Sequence, residues 1–119
     1  MLRVILVDGH EVSRAASRAL LRCEGVEVVA DLTSADAVLA AVDALCPDVV
    51  VVDVSPGDLR ASALARRLQE RSSRPTVVLT SSSDLQAFGS MLDGFAFLDK
   101  AELRCERILD AMNPVLPAG

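Results

Sequence analysis

A chain of 119 residues that is 51% hydrophobic and 24% charged has the size and balance of one globular domain. Its formal charge of −5 argues against direct contact with nucleic acid, which draws on clustered Lys and Arg. No apolar run is long enough to span a bilayer, and Met1-Leu2-Arg3 leads directly into a strand-like run without a signal-peptide layout, so a cytoplasmic protein is expected.

Arg3 to Val7 (R-V-I-L-V) is a short β-branched run that ends at Asp8 and predicts a strand buried on both faces. Gly9-His10 makes the turn. From Glu11 to Glu24, Val12, Ala16, Ala19, Leu20 and Cys23 recur at helical spacing, with Arg14, Arg18 and Arg22 on another face and Gly25 as the stop. Val26 to Ala30 is a shorter strand. Thr33 and Asp36 fit a capping box opening a helix to about Leu45, which Pro47 ends.

Val49 to Val52 is too short for a helix and too apolar for a half-exposed strand, so it predicts a central strand with Asp53 at its carboxyl end. Ser55-Pro56-Gly57-Asp58 is turn chemistry, and Leu59 to Arg71 is a helix. Thr76 to Leu79 is the fourth strand, ending at Thr80. Ser83 or Asp84 can cap a weak helix over Leu85 to Leu92, weakened by Gly89. Phe95 to Leu98 is the fifth strand. Lys100, the one lysine of the chain, follows it, and Ala101 to Asn113 is the last helix. Pro114 to Gly119 is expected to be a loose tail beyond a single domain spanning residues 1–113. Cys23, Cys46 and Cys105 lack metal or disulfide spacing and are expected to act as small apolar residues of the helices.

Strict alternation predicts a (βα)5 α/β fold: a doubly wound five-stranded parallel sheet of order 2-1-3-4-5, flavodoxin-like. Asp8, Asp53, Thr80 and Lys100 then follow the first, third, fourth and fifth strands at one sheet edge, where ligands of such sheets collect. One chemistry suits the four. A carboxylate can attack phosphorus, a divalent cation held by carboxylates can neutralise the transferring group, and a lysine and a hydroxyl can hold its oxygens. An aspartate-nucleophile phosphatase would want a second carboxylate two residues beyond the nucleophile. Position 55 is Ser and position 10 is His, so an enzyme of that kind is not expected.

The motifs V-I-L-V-D-G-H, P-D-V-V-V-V-D, T-V-V-L-T-S and F-L-D-K resemble the response-regulator receiver domain of bacterial two-component signalling over nearly the whole chain. The D-x-H opening resembles the subgroup whose receivers precede a helix-turn-helix DNA-binding domain. The resemblance implies that Asp53 is the phosphoacceptor, Asp8 the first of an acidic pair, and Ser55 the residue whose backbone carbonyl completes a Mg²⁺ site. Thr80 becomes the switch hydroxyl, Lys100 the phosphate-contacting lysine, and Phe97 the aromatic switch. It implies a phosphorelay receiver that rearranges the face of the fourth helix, fifth strand and fifth helix. A histidine kinase or small phosphodonor would be its partner, homodimers are open to it, and DNA would be reached only through an output domain absent from this chain.

Three departures stand out. Gly9 occupies the place of the second acid, which weakens or removes the Mg²⁺ site unless Glu11 substitutes. The loop Ser55-Pro56-Gly57 carries its proline one place early. Asp99 could pair with Lys100 and compete with phosphate. The alternative is therefore an atypical receiver that signals or dimerises without phosphorylation.

Overall fold

The computed structural model describes residues 1–112. The expected tail over Pro114 to Gly119, and the end of the last helix at Asn113, lie outside the described residues. Five parallel strands form one sheet of order β2-β1-β3-β4-β5: β1 (Arg3–Val7), β2 (Glu27–Leu32), β3 (Val49–Asp53), β4 (Thr76–Ser81) and β5 (Ala96–Asp99). The helices are α1 (Glu11–Cys23), α2 (Ala35–Leu45), α3 (Leu59–Gln69) and α4 (Cys105–Met112). The doubly wound flavodoxin-like order expected from alternation is the one observed.

The central strands are buried on both faces, as their unbroken apolar runs require. Side-chain alternation deals Ile5, Val7, Val50, Val52, Val77 and Leu79 to one core layer, against α2 and α3. Val4, Leu6, Val49, Val51, Val78 and Leu98 go to the other, against Leu21 of α1 and Ile108 of α4.

Several local expectations are corrected. The buried face of α1 is not the apolar stripe. Val12, Ala16, Ala19, Leu20 and Cys23 are all exposed, Val12 by 85%. The helix turns Arg14, Ser17, Arg18 and Leu21 inward instead, because Arg14 Nε and Arg18 Nη1 donate to the two carboxylate oxygens of Asp31 at 3.1 and 2.9 Å. That anchor also explains why β2 runs on to Leu32 rather than stopping at Ala30: Asp31 is tied down and Leu32 pairs with Val7. The cap of α2 is Ser34, not Thr33, its hydroxyl accepting from the Ala37 amide at 3.1 Å. Cys23 and Cys46 are exposed rather than packed.

The segment Leu85–Leu92 is not an α-helix but two short 3-10 turns joined at Gly89, whose φ of 59° and ψ of −129° lie where only glycine is comfortable. Phe88 and Leu92 still reach the core from it. A Cβ added at Gly89 would meet nothing within 4 Å, so Gly89→Ala tests the backbone alone. It is expected to lower stability by about 1–3 kcal/mol, read from denaturant midpoints. An unchanged midpoint would show that the kink does not need glycine.

The last helix also starts later than Ala101. Lys100–Glu102 forms a 3-10 turn, Leu103 is extended and buried, and α4 begins at Cys105, whose amide donates to Glu24 Oε1 at 2.8 Å. Burying Leu103 interrupts the helix. The face formed around β5 is thus three 3-10 turns, a strand and a short helix.

Candidate functional site

Register brings the site together. Val7 pairs with Val52, and Asp53 pairs with Thr80 across β3 and β4. Asp8, Asp53 and Thr80 therefore form a row across three adjacent strands, and alternation puts all three on the α1 and α4 side. Lys100, just past β5, reaches back over that row. Its Nζ donates to Asp8 Oδ2 at 2.8 Å and to Asp53 Oδ1 at 3.1 Å. Asp99 does not compete for it: the Asp99 carboxylate accepts from the Ala101 amide at 2.9 Å and caps the 3-10 turn.

The other two carboxylate oxygens face His10, the second residue of the turn after β1. His10 donates its backbone N–H to Asp8 Oδ1 at 2.8 Å, closing a local turn. Its imidazole Nδ1 lies 3.2 Å from Asp8 Oδ1 and 3.7 Å from Asp53 Oδ2. Each acid thus gives one oxygen to Lys100 and the other to His10. The local spacing, a histidine two residues after a strand-end aspartate, was the signal available for it. Glu11, the expected substitute for the missing acid, is exposed at the start of α1 and outside this group. Arg14 supports the loop from beneath, donating from Nη1 to the Asp8 carbonyl at 2.8 Å.

These contacts set the charges. Burial works to raise the Asp8 carboxyl, but hydrogen bonds from Lys100, the His10 amide and Ser13 outweigh it and hold Asp8 below the ordinary carboxylate range. At Asp53 burial wins: with the charge of Asp8 beside it, it holds the carboxyl above its ordinary value despite Lys100. Burial works to lower Lys100, but its bonds and attraction to both acids push it above the ordinary lysine value.

Thr80 is 2% exposed, and its Oγ1 has no hydrogen-bond partner among the described residues. Leaving a buried hydroxyl unpaired costs about 1–3 kcal/mol. Thr80→Val is therefore expected to raise the denaturant midpoint, by the equivalent of about 1 kcal/mol. A loss of stability would show that the hydroxyl is paired in solution.

The remaining expected residues are less convergent. The Ser55 carbonyl already accepts from the Asp58 amide at 3.0 Å, and Asp58 in turn caps α3. Phe97 is half-buried on the opposite face from Thr80, its ring 5.8 Å from that of Phe88. On the α2 and α3 side, Asp8, Gly9 and Asp53 open into a cleft of about 400 Å³ shared with Ser34, Asp58 and Arg60. Among the described residues, Asp8, His10 and Asp53 can present one ligand atom each to a single cation, all within 4.8 Å of one another. Two carboxylates therefore fit a divalent ion such as Mg²⁺, while the third donor is nitrogen rather than the oxygen that Mg²⁺ prefers.

An open parallel sheet carrying two acids, a hydroxyl and a lysine at its carboxyl edge defines a doubly wound α/β domain whose candidate site lies where ligands of such sheets collect. Residues 4–111 match the family model of the response regulator receiver domain, and the chain belongs to that family. It is 26% identical over 88 residues to the DNA-binding transcriptional activator EvgA of Escherichia coli, covering 74% of this chain and 43% of EvgA. It is 35% identical over 85 residues to a response regulatory protein of Yersinia pestis, covering 71% of this chain and 35% of that protein. The chain thus spans less than half the length of these relatives. The receiver domain of the response regulator NarL from Mycobacterium tuberculosis superposes with a TM-score of 0.78 at 24% identity, over 96% of this chain and 98% of that one. No helix among the described residues is long and apolar enough to cross a membrane.

Proposed function

We propose that this chain is a phosphorelay receiver whose phosphoacceptor is Asp53. The observation that carries the reading is the bridge from Lys100 Nζ to Asp8 and Asp53 at 2.8 and 3.1 Å, which places a cation beside the nucleophile. A carboxylate oxygen of Asp53 attacks the phosphorus of a phosphohistidine or an acyl phosphate. The new P–O bond forms as the bond to the donor nitrogen or oxygen breaks, and the donor leaves with that electron pair. Burial makes Asp53 more basic than an exposed aspartate, which strengthens it as a nucleophile. Lys100 then holds a phosphoryl oxygen in place of the Asp53 oxygen it now binds, and Thr80 supplies the unpaired hydroxyl that receives another. Asp8, Asp53 and, if released from Asp58, the Ser55 carbonyl would hold Mg²⁺, which supplies charge neutralisation on the transferring group. No enzymatic turnover of a separate substrate is part of this reading.

The signal would pass through Thr80 and the Phe97–Phe88 contact to the face formed by Leu85–Leu92, β5 and α4, a local charge change biasing a two-state element. A histidine kinase is the proposed partner, with a small phosphodonor as substitute. The exposed stripe Val12, Ala16, Ala19, Leu20 and Cys23 begins beside the acids and offers it an apolar surface on α1. DNA would be reached only through an output domain, by analogy with the longer DNA-binding transcriptional activator EvgA. Action in the cytoplasm, and homodimerisation, belong to the same proposal.

A second reading, an atypical receiver that signals without phosphate, is favoured by Gly9 in place of an acid and by the engaged Ser55 carbonyl. Intact-mass measurement after incubation with acetyl phosphate, in Mg²⁺ and separately in Mn²⁺, decides between them. Addition of one phosphoryl group mapped to Asp53 supports the first reading. An unmodified, folded protein in both metals supports the second.

A further inference from the structure

We propose that His10 is a metal ligand, and that the pocket of Asp8, His10 and Asp53 takes a borderline transition-metal dication in preference to Mg²⁺. The proposal shares Asp8 and Asp53 with the phosphoacceptor reading and rests on that reading only for the place of the pocket. His10 is otherwise a surface residue, its side chain 76% exposed, yet its Nδ1 turns to within 3.2 Å of Asp8 and 3.7 Å of Asp53 rather than to solvent. With metal–ligand bonds of about 2.0–2.2 Å the shorter separation suits adjacent ligands of one ion, and the longer one suits the wider angles of a tetrahedral or distorted site. The oxygens it faces, Asp8 Oδ1 and Asp53 Oδ2, are the two that Lys100 does not use. A cation on the His10 side therefore leaves the lysine bridge in place. Asp8 is itself 6% exposed and held in orientation by the His10 amide and by Arg14 on its carbonyl.

The chemistry follows from the donor set. Gly9 removes an oxygen ligand next to the pocket, and a Cβ there would meet nothing within 4 Å, so the space of that ligand is open. Imidazole enters the same set of donors. Two oxygens and one nitrogen suit Mn²⁺, Co²⁺, Ni²⁺ or Zn²⁺ better than the all-oxygen preference of Mg²⁺, and affinity for nitrogen rises from Mn²⁺ to Ni²⁺.

The test uses the unphosphorylated chain with Cys23, Cys46 and Cys105 changed to Ser, which removes competing thiolates; Cys23 and Cys46 are exposed and Cys105 half-buried. Calorimetric titrations with Mg²⁺, Mn²⁺, Co²⁺ and Ni²⁺ are expected to give Co²⁺ and Ni²⁺ at least about tenfold tighter than Mg²⁺. His10→Ala should erase about tenfold or more of that margin while leaving Mg²⁺ unchanged. Because the sequence holds one histidine, a single imidazole signal reports the event, and substoichiometric Co²⁺ should shift or broaden it in slow or intermediate exchange. Gly9→Asp, which restores the acid while keeping His10, should tighten Mg²⁺ and narrow the margin from the other side. Equal affinities for Co²⁺ and Mg²⁺, or a margin untouched by His10→Ala with the imidazole signal undisturbed, would overturn the proposal. Phosphoryl uptake is not read in these titrations, so an inert Asp53 would leave a His10-dependent margin standing, and a phosphorylated Asp53 would not rescue its absence.

Discussion

Asp53→Asn is expected to abolish the gain of one phosphoryl mass from acetyl phosphate and, at neutral pH, to make the protein more stable than its parent. The first effect follows because the amide offers phosphorus neither the charge nor the basicity of a carboxylate. The second follows from the direction of the Asp53 pKa. A carboxyl whose folded value lies above the unfolded one is destabilising in its ionised form, and that penalty is present at any pH above the folded value. It fades as pH falls through the folded value and is gone below the unfolded one. The variant lacks the ionisation, so its advantage, about 0.5–2 kcal/mol at neutral pH, should shrink on acidification toward the ordinary carboxylate range. Asp8 works in the opposite sense. Its folded value is lowered, so its stabilisation is present above the ordinary carboxylate value and is lost as pH falls through the folded one. Thermal melts of both proteins across that range separate the two acids. An Asp53→Asn variant that still gains the phosphoryl mass would move the acceptor elsewhere. One that is less stable than its parent at neutral pH would show that the Lys100 bond outweighs the burial of Asp53.

The parts of this fold that could be read without coordinates are those where one residue type has one explanation. Val49 to Val52 can only be satisfied by a strand covered on both faces, and so can the run from Val4 to Val7; with those two fixed, Asp8 and Asp53 must be neighbours. Thr80 and Lys100 followed from the same logic of strand ends. The parts that stayed hidden depend on a distant partner. In α1 the spacing of Val12, Ala16, Leu20 and Cys23 pointed to a core face, but Arg14 and Arg18 have the half-buried Asp31 of β2 to reach, and two ion pairs accompany the turned helix. Gly89 was recognised as costly in a helix, yet its positive φ could only be seen in place. The break at Leu103 arises because that side chain belongs to the core while its neighbours Glu102 and Arg104 do not. His10 carries a pattern, two residues beyond a strand-end aspartate, but that spacing alone does not say that its ring faces Asp53 as well as Asp8; that needs the two strands side by side.

Lys100→Met is the variant expected to lose most. Methionine keeps much of the aliphatic stem, so packing against the loop changes little, but the charge that serves two carboxylates at once disappears. Their side chains are 7% and 12% exposed, too enclosed for water to replace the ammonium fully. Removing one partner from a buried ion pair costs about 3–5 kcal/mol, and the open cleft beside Asp53 should bring the loss to the lower end of that range. The pH dependence should also weaken at Asp8. Without Lys100 only the His10 amide and Ser13 are left to oppose the burial of Asp8, so the stabilisation that ionised Asp8 gives the parent should shrink, while Asp53 loses the bond that opposed its own burial. The variant should consequently recover more stability than the parent as pH falls through the raised folded value of Asp53, and lose less than the parent at Asp8 as pH falls below the ordinary carboxylate range. A divalent cation should raise the melting temperature of the variant more than that of the parent, because it neutralises a repulsion that the lysine otherwise answers. Phosphoryl uptake at Asp53 should fall by about 10²-fold or more, the usual scale when a donor is taken from a developing anion. Lys100→Arg separates the two roles: its charge should recover stability, but a planar guanidinium cannot place one nitrogen between Asp8 Oδ2 and Asp53 Oδ1 as the ammonium does, so uptake should stay low. If Lys100→Met melts and accepts phosphate like the parent, the lysine bridge is incidental, and the acids at this sheet edge must be balanced by His10 or by a bound cation instead.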